Sequence, residues 1–368
     1  MTQYLVIGMV LGIYRKSTYF HHDVLSNSLN IPEPSNINMR KILCSALLVI
    51  FLASFSQAQQ DPMFTKYMFN TLIYNPAYAG TKDHLSIGLL HRDQWVKLEG
   101  APTTQTLTIH TPLKGKRIAI GGSLLHDDIG ISKEIKLNGY YAYHIDFKGK
   151  SRLSVGVSGG VSNWQADFSQ LRLDNPNDPS LMGNMQKFLP VVGAGVFYYN
   201  DLFYVGFSTP NILPNDLPSI STFQNARQYG HYYLAGGLIL PLSSTLVFKP
   251  SFLIKNSNLY GAFDKNTNGT ADVGAPTEFD IDVSLLFYDA LWVGMSFRSA
   301  FEGFNKSSSI DSADAWLAYY LRNGFRVGVA FDYSLTELQK VSVGSFELVL
   351  GYEFDYKESA IMTPRYFF

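Results

Sequence analysis

One cysteine, little charge and no long apolar run set the first limits on this 368-residue chain. A single Cys excludes a disulfide-stapled fold. Charged residues make up 16% of the chain, against roughly 25% in an average soluble protein. The 29 Lys+Arg and 30 Asp+Glu leave a formal net charge of −1, so there is no basic excess to hold nucleic acid. Beyond Gln59 no run reaches the length of about 18 apolar residues that a transmembrane helix needs. Also missing are a Gly-x-Ser-x-Gly elbow, a His-Glu-x-x-His pair and a phosphate-binding Gly-rich loop. What the chain does have is 26 Phe, 23 Tyr and 30 Gly. That rules out a disordered polymer, which is poor in aromatics and rich in charge. It suits a β-structure with two faces to satisfy, one of them apolar.

The first 58 residues stand apart. Met39-Arg40-Lys41 opens a basic stretch, residues 42–53 form a short apolar run, and Ser56-Gln57-Ala58 offers small residues at a cleavage site. This is the pattern of a secretory signal over 39–58. The run is too short to span a bilayer, which takes about 20 residues. The expected mature start is Gln59. Residues 1–38 read as an extension upstream of the true start at Met39, with a tandem signal as the rival. Cys44 falls within the signal, so the mature chain has no cysteine. It loses Arg15, Lys16, Arg40 and Lys41 with Asp23 and Glu33, which leaves a net charge of −3.

Period-two alternation dominates the chain beyond Gln59. Ile135, Leu137, Tyr141, Tyr143 and Ile145 alternate with Lys136, Asn138, Tyr140, Ala142 and His144. Leu153, Val155 and Val157 interleave with Ser154, Gly156 and Ser158. Phe279, Ile281 and Val283 interleave with Asp280, Asp282 and Ser284, and Val327, Val329 and Phe331 with Gly328, Ala330 and Asp332. Successive strand side chains point to opposite faces, so each segment has one apolar and one polar or small face. Fourteen segments read this way: 84–95, 102–112, 116–127, 131–147, 150–163, 188–200, 202–210, 228–241, 244–257, 276–288, 290–300, 310–322, 324–335 and 342–357.

The connections select the architecture. Tight turns come after the even-numbered segments, at Lys114-Gly115, Lys148-Gly149, Asn200-Asp201, Leu242-Ser243, Asp289-Ala290 and Asn323-Gly324. Mostly longer ones come after the odd-numbered segments, the largest being 164–187, 211–227 and 258–275. An even strand count, short turns on one side, long loops on the other and an apolar outer face describe a transmembrane antiparallel β-barrel. Closure satisfies every backbone N–H and C=O within lipid. A soluble sandwich would alternate too, but nothing in it requires every second turn to be short. Tyr and Phe near segment ends, as at Tyr198/Tyr199 and Tyr352/Phe354/Tyr356, suit the headgroup layer. The barrel occupies 84–357, with a tail at 358–368, and both ends of the barrel wall fall on the short-turn side. The expected localisation is that of an integral outer-membrane protein, with lipid on its outer face.

A fourteen-strand lumen lies between the filled small barrels and open porins, and here its polar wall predicts hydration. Residues 59–83 are the segment available to fill it. Asp61-Pro62 offers a helix start with Phe64, Tyr67 and Met68 on one face. Asn75-Pro76-Ala77-Tyr78-Ala79-Gly80 repeats the logic: Asn cap, Pro, one turn, Gly exit. This stretch reads either as a lumenal plug or as a periplasmic tether.

The same stretch resembles the opening of the PorP/SprF family of Bacteroidetes outer-membrane proteins. So do Tyr67-Met68-Phe69-Asn70, Arg92-Asp93-Gln94-Trp95, Gly100-Ala101-Pro102 and Thr104-Gln105-Thr106, and the closing Pro364-Arg365-Tyr366-Phe367. Lys66, where Gln is commoner, and the extra Phe368 depart from the pattern. The resemblance covers the chain from Gln59 to Phe368. It marks Asn75, Pro76, Tyr78, Gly80 and Arg92 as a structural or plug motif. It implies a part in type IX secretion and, in gliding bacteria, in adhesin export, with no catalysis and no cofactor. The partners implied are a large secreted adhesin-like protein with a C-terminal sorting domain, and other secretion components at the periplasmic face.

Three further sets of residues are candidates for chemistry or binding. Asp264, Asn266, Asn268 and Asp272, with Gly269, match the first half of a Ca²⁺ loop, although Ala275 stands where the bidentate Glu belongs. A polar surface loop explains the same residues. Trp95, Trp164, Phe168, Leu181, Met182, Ile212 and Phe223 are apolar residues in or beside the long loops. They form either a docking patch or a cap folded on itself. His126 beside Asp127 could serve a membrane-embedded hydrolase as base and orienting acid, or simply end a strand in solvent. His84, His110, His144 and His231 have no ligand spacing. A general porin is the alternative to the secretion reading.

Overall fold

In the computed structural model, the described residues run from 64 to 354, except 65, 149, 171–183, 217–226, 229, 258–276 and 301–309. Among them no helix is long and apolar enough to cross a membrane, and the crossing elements are strands. Fourteen form one closed antiparallel wall. They are β1 (Ser86–Asp93), β2 (Thr103–Pro112), β3 (Ile118–Ile129), β4 (Ser132–Asp146), β5 (Arg152–Asp167), β6 (Asn184–Tyr199) and β7 (Phe203–Thr209). Then come β8 (His231–Leu238, resumed at Leu240–Ser243), β9 (Leu246–Ser257), β10 (Glu278–Phe287), β11 (Leu291–Ala300), β12 (Ile310–Tyr320), β13 (Phe325–Ser334) and β14 (Ser345–Glu353). Each pairs with its sequence neighbours, and β1 closes the cylinder on β14, from Ser86 opposite Glu353 to Asp93 opposite Phe346.

Alternation decides which way each side chain faces. Leu137 is 56% exposed and Met295 64%, and with Val157, Ile281 and Leu348 they lie on the outside, where lipid covers them. Lys136, Ser158, Asp282, Ser296 and Glu347 take the opposite parity and face inward.

Four features differ from the pattern the sequence suggests. The link between β3 and β4 is only Gly130-Ile131 although it lies on the long-loop side, with Gly130 in the left-handed region (φ 58°). Gly130 N–H donates to Gly100 O at 3.0 Å, so the β1–β2 loop fills the place a longer link would take. β5 and β6 continue past the expected ends and pair over sixteen positions, from Arg152 opposite Tyr199 to Asp167 opposite Asn184. A membrane-spanning strand needs about 9–11 residues, so the wall here extends beyond the bilayer. β8 is interrupted at Ile239, whose N–H turns to Leu202 O (2.7 Å) while its side chain is buried. The lumen wall also carries Trp292, Trp316, Phe197, Tyr204 and Tyr233, all buried, so it is far more aromatic than the polar faces suggested.

Candidate functional site

The described part of the N-terminal segment, Phe64 and residues 66–84, lies within the cylinder. Its contacts reach walls on all sides: β2 through Asn70 and Thr106 (3.0 Å), β6 through Asn75 and Val196 O (3.0 Å), β9 through Tyr67 and Ser251 (3.0 Å), and β14 through Lys66 N–H and Glu347 (3.1 Å). A 3-10 turn, Tyr67–Asn70, leads into one α-helical turn, Thr71–Tyr74. Phe64, expected on a helical face, precedes these turns, and Asp61 and Pro62 lie outside the described residues. The Phe64 backbone is engaged elsewhere: its N–H donates to the Tyr74 hydroxyl (3.2 Å), and its O accepts from Arg298 (3.2 Å).

Two kinds of wall hold this segment. Against β4–β7 the fit is by shape. Asn75 caps the Pro76–Tyr78 turn by accepting from Ala77 N–H (3.0 Å), and Gly80 leaves it in the left-handed region (φ 74°). The Ser154 hydroxyl donates to Ala77 O (2.6 Å), and Gly80 N–H donates to His110 Nδ1 (3.0 Å). Tyr78 stacks edge-on to His110 and to Phe197, both at 5.6 Å. At two positions the facing wall is glycine. A Cβ at Gly156 would overlap the Ala77 backbone, and one at Gly195 the Asn75 amide.

Against β10–β14 the fit is by charge. Lys66 is 1% exposed and pairs with Asp282 (3.4 Å) and Asp314, while contacting the Ser296 hydroxyl. Trp316 Nε1–H donates to the same Asp282 carboxylate (2.9 Å). Arg92 pairs with Asp332 (3.2 Å) and Glu347 (3.5 Å), and Arg298 grips Asp280 with two bonds of 2.7 and 2.8 Å. Nearer the short-turn end than these pairs, Phe69 sits edge-on to Trp292 and Trp316, each at 5.4 Å, and Lys249 lies 3.5 Å over the Trp292 ring. Near the short-turn end, Lys82 pairs with Glu353.

Sequence reasoning left Lys66 as a departure from a pattern and did not single out its partners. A signal was there: Asp280, Asp282, Asp314, Asp332 and Glu347 all have inward parity, and buried carboxylates require cations.

Of the residues singled out at the long-loop rim, Trp95, Trp164, Phe168 and Ile212 are among the described residues. Trp95 comes after β1 in a left-handed conformation (φ 45°), half-buried, its N–H donating to Ser345 Oγ (3.3 Å). Next to it Val96 N–H donates to Gly344 O (2.8 Å), tying the β1–β2 loop to the β13–β14 loop. Trp164 is a strand residue of β5, opposite Glu134 and Lys187, and not part of a loop. Phe168 opens the short turn after β5, half-buried. Ile212 is exposed beyond β7, its N–H held by Val192 O (2.8 Å). Leu181, Met182 and Phe223 lie outside the described residues, as do the calcium candidates Asp264, Asn266, Asn268 and Asp272. His126 and Asp127 are adjacent on β3 and face opposite sides, Asp127 inward with Thr104 (2.5 Å) and His126 outward, so they do not assemble as base and orienting acid.

Residues 56–352 match the family model described as type IX secretion system membrane protein PorP/SprF. The chain belongs to this family. No curated protein matches it. Several solved structures share its fold class at low identity. A mutant of the monoaromatic hydrocarbon channel TodX is 13% identical, with 77% of this chain and 93% of that one covered and a TM-score of 0.47. A Pseudomonas aeruginosa FadL homologue is 12% identical, covering 81% and 96%, at 0.43. KdgM porin is 10% identical, covering 73% and 99%, at 0.34. At these scores the likenesses bear on no functional question. Membership makes this PorP/SprF protein a membrane β-barrel of type IX secretion, located in the outer membrane.

Proposed function

We propose that this barrel is a non-enzymatic docking component which supports the secretion or surface attachment of one large adhesin-like protein with a C-terminal sorting domain. Other secretion components would meet it at the periplasmic face. One observation carries this reading: the lumen is occupied by Phe64 and the segment from Lys66 to Lys82, packed against aromatic rings and paired charges. A barrel filled in this way has its working surfaces at its two ends, and binding energy comes from loop burial without covalent chemistry. In this reading 39–58 is removed as a signal, 59–83 is the plug, and Asn75, Pro76, Tyr78, Gly80 and Arg92 seat it. Of the calcium candidates we make no part of the function.

Deleting the gene tests the proposal. The cognate adhesin should disappear from the cell surface while other secreted proteins persist. An adhesin still exported and retained would refute it. The porin alternative predicts steady ion conductance from the intact protein in planar bilayers, and our reading predicts a closed barrel.

A further inference from the structure

The barrel wall is uneven at its long-loop rim, and the register shows where. β6 pairs with β5 along its whole length, but with β7 only from Tyr199 opposite Tyr204 to Ala194 opposite Thr209. Just above, Ile212 N–H donates to Val192 O (2.8 Å) and the Asn215 amide to Pro190 O (3.1 Å). A residue in an antiparallel strand sends its N–H and C=O to one side, and the next residue sends its own to the other. Val192 O faces the β7 side, as does the Asn200 N–H, which donates to Phe203 O (3.0 Å). Phe188, Gln186 and Asn184 share that parity, so their backbone groups face the same side. β7 ends at Thr209 and does not reach them. Among the described residues no group bonds to them on that side. Residues 184–188 thus form an open strand edge above the end of β7.

This edge stands clear of lipid. By Phe188 the strand has already run from Tyr199 through the roughly 9–11 residues that cross a bilayer. The outward side chains agree. Gln186 lies in register with Gln165, Lys133, Asp128 and Thr103 across β5 to β2, a row without an apolar member. Asn184 and Gln186 are exposed, and Phe188 is 65% exposed. In barrels of this class the long-loop end faces the cell exterior.

We infer that this edge is a docking site for an extended segment of the secreted protein, which adds to β6 as a further strand at the cell surface. The inference deepens the docking reading proposed above and rests on it. At an open edge the main-chain bonds give affinity, and side chains at alternate positions give specificity. Asn184, Gln186 and Phe188 each offer an N–H and a C=O, while Pro190, which has no N–H, limits the ladder below. On the outer face the incoming strand sets an apolar side chain beside Phe188 and polar ones beside Gln186 and Asn184. A second copy of the barrel does not fit the edge. Two barrels stand upright in one membrane with strands tilted by about 35–45°, so their facing β6 strands would cross at roughly 70–90°. Paired strands differ by only about 20–25°. The edge also points along its own wall, over β7, and not outward to a neighbour.

Proline on the edge tests this. Gln186→Pro removes one edge N–H and leaves the ladder to β5, which runs through Met185 and Lys187, in place. Gln186→Ala keeps the N–H and removes only the side chain. Both are expressed in the native host, and folded barrel is read from its heat-modifiable migration in gels. The surface protein that is lost on deleting the gene is then measured on cells and in the medium. The expected result is about tenfold lower retention for Gln186→Pro at an unchanged barrel level, with Gln186→Ala like the parent. Asn184→Pro, at the strand end, takes its place if Gln186→Pro lowers the barrel level. Equal loss with Ala and Pro assigns the contact to the side chain and overturns the inference. Unchanged retention with proline also overturns it, whereas a surface unaltered by gene deletion removes the docking reading itself. Hydrogen exchange on the purified barrel addresses the other occupants. The Gln186 and Phe188 amides should exchange far faster than those of Met185 and Lys187. Protection at Gln186 and Phe188 means that the chain covers its own edge. The mature chain has no cysteine, so a disulfide formed between copies of Gln186→Cys means that a second barrel covers it. Either result overturns the inference.

Discussion

The two sides of the lumen hold the same peptide by different means. Toward β4–β7 the wall has glycine at 156 and 195, where the Asn75–Gly80 turn leaves no room for a Cβ, and the Ser154 hydroxyl donates to Ala77 O. Toward β10–β14 the wall carries Asp282 and Asp314, which Lys66 holds through charge, and Glu347, which accepts from the Lys66 N–H. A fit by shape tolerates no added atoms. A fit by charge tolerates no missing partner, because a buried ion without its counterion bears the whole desolvation cost. The difference teaches that the two sides fail under opposite perturbations, and each can be broken without touching the other.

The largest effect should come from the charged side. Lys66→Met leaves Asp282 and Asp314 buried without their ammonium, and such a loss costs about 3–5 kcal/mol. Urea unfolding of the barrel in lipid vesicles should show it. Adding Asp282→Asn and Asp314→Asn to the same chain should restore most of the loss, since the carboxylates then need no cation. Failure of that rescue would mean that Lys66 acts through packing.

The shape side should respond to volume. Gly156→Val places its side chain into the Ala77 backbone and should cost about 1–3 kcal/mol, the range for an overfilled core. Gly159, on the same strand with open space around its Cβ position, is the matched control. Gly159→Val should leave the unfolding midpoint unchanged. Equal effects at both glycines would put the cost in the strand itself and dissolve the contrast between the walls. Asn75→Ala is milder. It removes the bond from Ala77 N–H and the one to Val196 O, for about 1–2 kcal/mol by the same unfolding measurement.

The outer face of this architecture was legible in the sequence and the inner face was not. Alternation showed Ile135, Leu137 and Val157 pointing one way, and the tight turns at Lys114-Gly115 and Asn323-Gly324 made the array a closed wall. Strand ends were less clear. Trp164 reads as a loop aromatic because Asn163 and Gln165 beside it are polar, but pairing with β6 carries the strand on to Asp167. The inner wall escaped because parity tells only which way a side chain faces, not what it meets. Trp292 and Trp316 come together across β11 and β12, and Phe69 joins them from more than 200 positions earlier in the chain. No local pattern encodes such a meeting. Lys66 is the clearest case: a lone cation in an apolar stretch, explained only once the inward carboxylates of Asp282 and Asp314 stand beside it.

The smallest effect on stability, and the most informative for function, belongs to the rim. Ile212 is exposed, and only its backbone is held, by Val192 O. Ile212→Ser should therefore move the unfolding midpoint by no more than about 0.5 kcal/mol, as for a surface site. Either wall variant, by contrast, weakens the barrel and alters the partner's retention indirectly, through the amount of protein that survives in the membrane. Ile212→Ser separates these routes. If the external loops bind the secreted protein at this position, cells with normal barrel levels should keep less of that protein on their surface and release more into the medium. Unchanged retention at unchanged barrel level would remove Ile212 from the docking surface and direct attention to the loop pair joined by Val96 and Gly344, on the charged side of the barrel.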